Sequence, residues 1–389
     1  MEPLELSELI QRGESSTIQF KERIIKGKQS DAYDIAIEMV AFSNTFGGLI
    51  IIGVNDKTGS LNGLSFQEIE ATNQLLSNAS SDNVKSPIII FTEQVTINEH
   101  TLIVVHIKEG KEKPYRDNKG IVWVKNGSDK RKVVSNDELR RLLQSGGNIL
   151  ADEEPVNDTT INNIDNELFN LFIEKKTSKK SNENTLSVQQ LLNNMGLAKD
   201  ENLTLAGLLL FGKNPQRFKP VFTIHCLSYV GNEISGNEFR DSEPPFEGNI
   251  PEIFEKTMNF IIRNLRKIQV DNSFNSSGQL EIPKEVLEEL VVNALIHRDY
   301  FISTTIKVFV FDNRIEIISP GKLPNSLTVE NIKSGTSNVR NSILFTNARY
   351  LLPFVGVGSG IPRAISLYPE IEFINDQERE RLIAIIKRP

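Results

Sequence analysis

Glu289, Asn293 and His297 recur every four residues along one helical stretch, on a stripe distinct from the apolar one of Leu287, Leu290, Val291 and Ala294. A carboxylate and a carboxamide one turn apart can serve a nucleotide. The carboxylate orients or deprotonates a water, and the amide oxygen ligates Mg²⁺ beside phosphates. The same spacing also fits an ordinary polar surface stripe. Further along, Gly356-Val357-Gly358-Ser359-Gly360 stands directly before a helix start. Bare backbone N–H groups at such a turn, with the helix dipole behind them, make an anion cradle, although a lone GxGxG is more often a flexible turn.

The stretch from Lys108 to Lys132 points to a second chemistry. Its nine basic and four acidic residues give a local charge of +5 in a chain whose net charge is −7. Basic side chains track phosphates and aromatic rings stack on bases. Tyr115 and Trp123 are interleaved here, and Lys125, Lys130, Arg131 and Lys132 follow Trp123 towards a hairpin tip. The alternative is a solvated hairpin with Trp123 in the core. The acidic total excludes a protein that binds polyanions over its whole surface, so nucleic acid must meet a local basic face. The single cysteine, Cys226, excludes an intrachain disulfide and a cysteine-based zinc site, and the four histidines form no ligand pattern. No apolar run approaches the roughly 18 residues of a membrane span. The acidic start MEPLEL lacks the basic region of a signal peptide. A cytoplasmic protein without membrane partners is expected.

The elements that must position these residues fall into three blocks. With 389 residues, 39% of them hydrophobic and 24% charged, the chain is globular and long enough for two or three domains. Residues 1–147 read as α+β. They hold a helix over Asp31–Ser43, a Gly47-Gly48 turn, a buried strand Leu49–Ile52, and strands Pro87–Phe91 and Leu102–Ile107. A hairpin over Gly120–Val134 and a helix Asp137–Leu143 capped by Asn136 close the block. Residues 148–271 read as a linker and a small helical, winged-helix-like connector. Its helices are Asp165–Lys176, Val188–Met195 and Thr204–Phe211, with a polar gap TSKKSNENT after the first and a strand Phe222–Val230 after the last. Residues 272–389 begin a helix at Pro283 and run it to about Arg298. Strands Thr304–Phe311 and Arg314–Ser319 follow, joined at Asp312-Asn313. Helical stretches near Val329–Lys333 and Val339–Tyr350, the glycine loop with its helix, and closing strands complete the block.

The order Glu-x-x-x-Asn-Ala, hairpin, Pro-Gly-Lys-Leu-Pro, Arg-Asn and Gly-x-Gly-x-Gly resembles the GHKL ATPase fold. It is most similar to the divergent RecG-like C-terminal branch of transcriptional regulators, whose signature matches Asn293–Tyr300 (NALIHRDY) and Leu203–Pro215 (LTLAGLLLFGKNP). The resemblance implies an α/β sandwich for 272–389 that binds ATP or another nucleotide with Mg²⁺ and hydrolyses it slowly at most. It makes Glu289 the water-activating glutamate and Asn293 the Mg²⁺ ligand. Gly321 opens the adenine-side turn, and Gly356, Gly358 and Gly360 form the phosphate-side loop. Ser319 stands where the family has an aspartate that accepts from the adenine amino group.

Gly13–Glu22 (GESSTIQFKE) followed by Phe46–Asp56 (FGGLIIIGVND) resembles the Schlafen AlbA-like domain. Its members bind nucleic acid or carry a three-carboxylate metal site that cleaves RNA. The resemblance makes Glu14 and Asp56 catalytic ligands for Mg²⁺ or Mn²⁺. Gln19 holds the second position in place of glutamate, which ranks binding of DNA or RNA above nuclease activity. Three readings follow: a nucleic-acid-binding transcriptional regulator with a nucleotide-sensing block, a metal-dependent ribonuclease, and a scaffold whose last block forms a homo-oligomer or docks partners. No G-x-x-x-x-G-K-[ST] loop occurs in the sequence, so the usual helicase motor is absent.

Overall fold

The computed structural model describes residues 1–23, 29–178, 186–234, 238–268, 278–324, 327–353, 356 and 358–389. The expected boundary at Asn272, residues 179–185 of the polar gap and Val357 of the glycine loop lie outside the described residues. The chain divides into two compact units, Met1–Ile149 and Leu150–Pro389, and its fold is mixed α/β.

In the first unit the order is α1 (Pro3–Arg12), β1 (Ile18–Lys21), α2 (Gln29–Asn44), β2 (Gly48–Ile52), α3 (Phe66–Ser81), β3 (Ile90–Ile97), β4 (His100–Ile107), β5 (Trp123–Asn126), β6 (Asp129–Lys132) and α4 (Asn136–Ser145). Four strands form a sheet in the order β1-β2-β4-β3, with β1 and β2 parallel and the rest antiparallel. The run Leu49-Ile50-Ile51-Ile52 is apolar throughout because both faces of β2 are covered. Ile50 and Ile52 join Ile103, Val105 and Ile107 under α2 and α3, while Ile51 joins Leu102 and Val104 against Leu6 and Ile10 of α1. Neither α1 nor α3 was anticipated, although Ser65 and Glu68 form a capping box that marks the start of α3. The cap of α4 is Ser135 rather than Asn136.

The second unit runs α5 (Asn166–Thr177), α6 (Val188–Asn194), β7 (Ala198–Lys199), β8 (Asn202–Leu203), α7 (Leu205–Phe211), β9 (Ile224–Tyr229), β10 (Phe239–Ser242), α8 (Ile250–Arg263), β11 (Lys267–Ile268), β12 (Gln279–Leu280), α9 (Lys284–Ile296), β13 (Ile306–Val310), β14 (Arg314–Pro320), α10 (Val329–Lys333), α11 (Ser342–Ala348), α12 (Gly360–Leu367), β15 (Ile371–Asp376) and β16 (Arg381–Lys387). A six-stranded sheet has the order β10-β9-β13-β14-β16-β15. Strands β9 and β13 pair in parallel, which requires a crossover, and α8 and α9 lie in the chain between them. Alternate residues of β13 separate two layers. Ile306, Val308 and Val310 enter the main core with α8 and α9, while Phe309 packs with Tyr229 and Phe311 on the other face. Residues expected as a separate connector share that main core: Phe169, Phe172, Leu208 and Phe211 belong to the same cluster as Leu290, Leu344 and Ile386. The edge of Phe172 meets Tyr350 at 5.8 Å between centroids.

Candidate functional site

Between α9, the β14 end and the start of α12 lies a cavity of about 120 Å³. Glu289, Asn293, Ser319, Gly321, Gly356, Gly358 and Gly360 line it together, with His297, Lys322, Arg340 and Arg363. Glu289 is buried. Its Oε1 accepts from Asn293 Nδ2 at 2.6 Å, and the same amide donates to the Glu289 carbonyl at 2.7 Å. Both bonds use the amide nitrogen, so Asn293 Oδ1 keeps its lone pairs; it accepts no hydrogen bond among the described residues. Arg363 Nη2 lies 3.4 Å from Glu289 Oε2.

The glycines fit a site where backbone must come close. Gly321 has φ +105°, and a Cβ there would overlap the Arg340 guanidinium and the Asp299 side chain. Gly358 has φ +77°, and its Cβ would stand 2.7 Å from the Gly335 carbonyl oxygen. A Cβ at Gly360 would overlap the Glu289 carboxylate, so the loop rests directly on that group. A free amide oxygen, a carboxylate, close-packed glycine backbone and flanking guanidinium groups form a donor set that fits a nucleotide–Mg²⁺ group.

Helix α9 must stop at the cavity, which leaves its last carbonyls without intrahelical partners. Four side chains supply them. Ser319 Oγ donates to Ala294 O at 3.0 Å, Tyr300 Oη to Leu295 O at 2.8 Å, Asn341 Nδ2 to Ile296 O at 2.9 Å and Arg340 Nη1 to His297 O at 3.4 Å. Much of the NALIHRDY string therefore ends a helix. Arg298 is buried too, its guanidinium over the rings of Phe222 and Tyr300 at 4.7 and 5.3 Å. The His297 imidazole is held down at about 4 by desolvation, with the Arg340 charge adding to it, so it is neutral near pH 7.

Glu14 Oε1 accepts from Gln19 Nε2 and, at 2.8 Å, from Phe20 N. Asp56 is exposed in the turn after β2. Among the described residues no three acidic, histidine or cysteine side chains gather to hold a metal ion, and Gln19, at the implied second position, is bonded to Glu14. An ammonium occupies the polar cluster instead. Lys125 Nζ donates to Gln19 Oε1 at 3.0 Å, Glu38 Oε1 at 2.7 Å and Ser128 O at 2.6 Å, using all three of its protons.

Lys125 was expected at a phosphate-binding tip. Its side chain is instead fully buried, and Lys130 is paired with the other Glu38 oxygen at 2.7 Å. The β5–β6 hairpin does form, with Trp123 opposite Lys132. Arg131 is exposed but makes two bonds to Glu138, at 2.9 and 2.7 Å. Tyr115 is held through its backbone by Asn44, and its ring lies against Gly110. The exposed basic groups are Lys108, Lys111, Arg116, Lys119, Arg131 and Lys132, of which Arg131 is paired with Glu138. Lys132 lies over the Trp123 ring at 5.4 Å and Lys119 over the Tyr33 ring at 4.0 Å. Both rings donate to Asp117 Oδ2, Trp123 Nε1 at 2.9 Å and Tyr33 Oη at 2.7 Å. Burial and the Asp117 carboxylate push the Tyr33 phenol up to about 12. Glu38 and Asp117, which organise this surface, were missed. Their signal was acidic residues inside apolar or basic runs.

The architecture is that of a multidomain α/β chain, and family comparisons give its parts a class. Residues 14–134 match the family described as "Schlafen, AlbA_2", and residues 303–382 match "Putative ATP-dependent DNA helicase recG C-terminal". The chain thus joins an AlbA_2 domain to a RecG-like C-terminal domain, both of nucleic-acid-related families. Residues 140–224 match a domain of unknown function. No curated protein matches the chain. Among solved structures, the DIP2311 protein from Corynebacterium diphtheriae is 21% identical over 96% of this chain and 75% of its own, with a TM-score of 0.49. The N-terminal domain of a RecG-related protein from Nitrosomonas europaea is 20% identical over 35% of this chain and 96% of its own, with a TM-score of 0.25.

Proposed function

We propose that this chain is a nucleic-acid-binding regulator whose second unit senses a purine nucleoside triphosphate with Mg²⁺. The observation that carries the reading is the convergence of Glu289, Asn293, Ser319, Gly321, Gly356, Gly358 and Gly360, from separate stretches of chain, on one cavity. Asn293 would hold the ion through Oδ1, and the glycine-loop N–H groups would receive the phosphates. The ion, when bound, neutralises phosphate charge. Ser319 has committed its one proton to Ala294 O, so towards a base it can only accept, which suits an amino group. Glu289 would position a water for slow hydrolysis. In the first unit, Lys119 and Lys132 beside Tyr33 and Trp123 offer charge and ring faces to a nucleic-acid strand.

Calorimetry with ATP, GTP and a non-hydrolysable ATP analogue, with and without Mg²⁺, run beside titrations of short RNA and DNA, tests the reading. Metal-dependent nucleotide binding together with nucleic-acid binding is expected. No heat from any nucleotide would leave the second unit a docking or dimerising scaffold. Mn²⁺-stimulated RNA cleavage, lost in Glu14→Ala, would make the first unit a nuclease.

A further inference from the structure

Glu289 is covered. One carboxylate oxygen is taken by Asn293, the glycine loop rests on the carboxylate at Gly360, and the other oxygen faces Arg363 Nη2 at 3.4 Å. Arg363 is the cation that faces Oε2. The two partners are unequally held: the Arg363 side chain is 50% exposed and that of Glu289 6%. A 3.4 Å contact is long for a hydrogen bond, and the Arg363 guanidinium makes no other among the described residues. Arg340, the other guanidinium at the cavity, is tied to the carbonyls of His297 and Lys322, where it ends α9. Arg363 also sits in the first turn of α12, where the helix dipole disfavours a cation. Its position makes physical sense if an anion arrives beside Gly358, Ser359 and Gly360.

We propose that Arg363 is a triphosphate sensor. When a triphosphate binds, the guanidinium leaves Glu289 for the terminal phosphate, where paired charge-assisted bonds outcompete one long contact, and Glu289 Oε2 is uncovered. A diphosphate leaves Arg363 in place and the carboxylate covered. This rests on the nucleotide reading above and adds to it the residue that tells triphosphate from diphosphate.

The test measures the affinity of the full chain for ADP and for a non-hydrolysable ATP analogue, both with Mg²⁺, by calorimetry. Wild type, Arg363→Ala and Arg363→Lys are compared, with thermal melting to confirm that each folds. The alanine variant should lose roughly tenfold or more in affinity for the triphosphate while ADP binding stays within about twofold; lysine should restore part of the difference. Equal losses for both nucleotides would mark Arg363 as structural, and no change in either would exclude contact with phosphate; each overturns the inference while nucleotide binding stands. A wild-type chain that binds neither nucleotide ends the underlying reading and this inference with it.

Discussion

At Asn293 the direction of one side-chain amide decides what the cavity can hold. Its nitrogen is spent on Glu289, which leaves the oxygen for a cation. Asn293→Ala should therefore abolish Mg²⁺-dependent nucleotide binding, because it removes the ligand and also the donor that fixes the carboxylate. Glu289→Gln keeps an oxygen for Asn293 to bond. It should leave binding nearly intact while lowering turnover by about 10²–10⁴-fold, read as phosphate release under saturating nucleotide. An unchanged rate in that variant would remove Glu289 from the chemistry. The sequence showed the four-residue spacing of this pair but not which amide atom would face which partner. Lys125 shows the same limit more sharply: its charge was plain, and only packing revealed that Gln19, Glu38 and Ser128 surround it.

Most of the elements that carry the site were readable from periodicity, α10 with both its ends, but not what stops α9. Helix α9 has no glycine or proline to stop it; side chains from β14 and from Arg340 and Asn341 do so. Helix α11 begins in a comparable way. Asp152 Oδ2, far back in the chain, accepts from Ile343 N at 2.7 Å and Leu344 N at 2.9 Å, while Oδ1 is buried without a partner among the described residues. Burial pushes this carboxyl up to about 6 from 3.8, against the pull of the two N–H donors. A carboxyl whose folded value is raised contributes stability that is full below the unfolded value and is lost as pH rises through the folded one. Urea unfolding of wild type against Asp152→Asn should show the wild-type advantage shrinking between about pH 4 and 6, by about 3 kcal/mol, then levelling. A difference that stays flat over that window would mean Asp152 is ionised when folded at low pH as well.

For the whole molecule, charge is the property that matters most, since a net −7 must coexist with the proposed nucleic-acid surface. The stretch around Lys108–Lys132 keeps its exposed cations at Lys108, Lys111, Arg116, Lys119, Arg131 and Lys132, with Lys125 and Lys130 turned into the first unit. No helix among the described residues is long and apolar enough to cross a membrane. If phosphate contacts dominate, binding should weaken with salt by about −0.7 to −0.9 in log–log slope per contact. A combined Lys119→Ala and Lys132→Ala change should then make the slope shallower by about two such units. A slope unaltered in that variant would move the contact surface elsewhere. Lys125→Ala belongs to a different class of experiment, because it leaves the Glu38 carboxylate buried with one cation fewer and should destabilise the first unit.

Local order along the chain determined what could be read without coordinates: the apolar run of β2, the α9 stripes, the hairpin at Asp312-Asn313, and the two ordered motif sets. These depend on neighbours in sequence, whose periodicity or backbone needs are written in residue type. Tertiary structure alone decided the rest, namely that Gln19 bonds both Glu14 and Lys125, that Lys125 is a buried ion, that Phe169, Phe172, Leu208 and Phe211 share a core with the last block, and that Arg363 faces Glu289. Each depends on which distant side chain fills a given space. Charge and hydropathy state what a residue prefers, but whether a lysine meets water, a phosphate or a carboxylate is settled by the atoms that packing places within about 3 Å of its nitrogen.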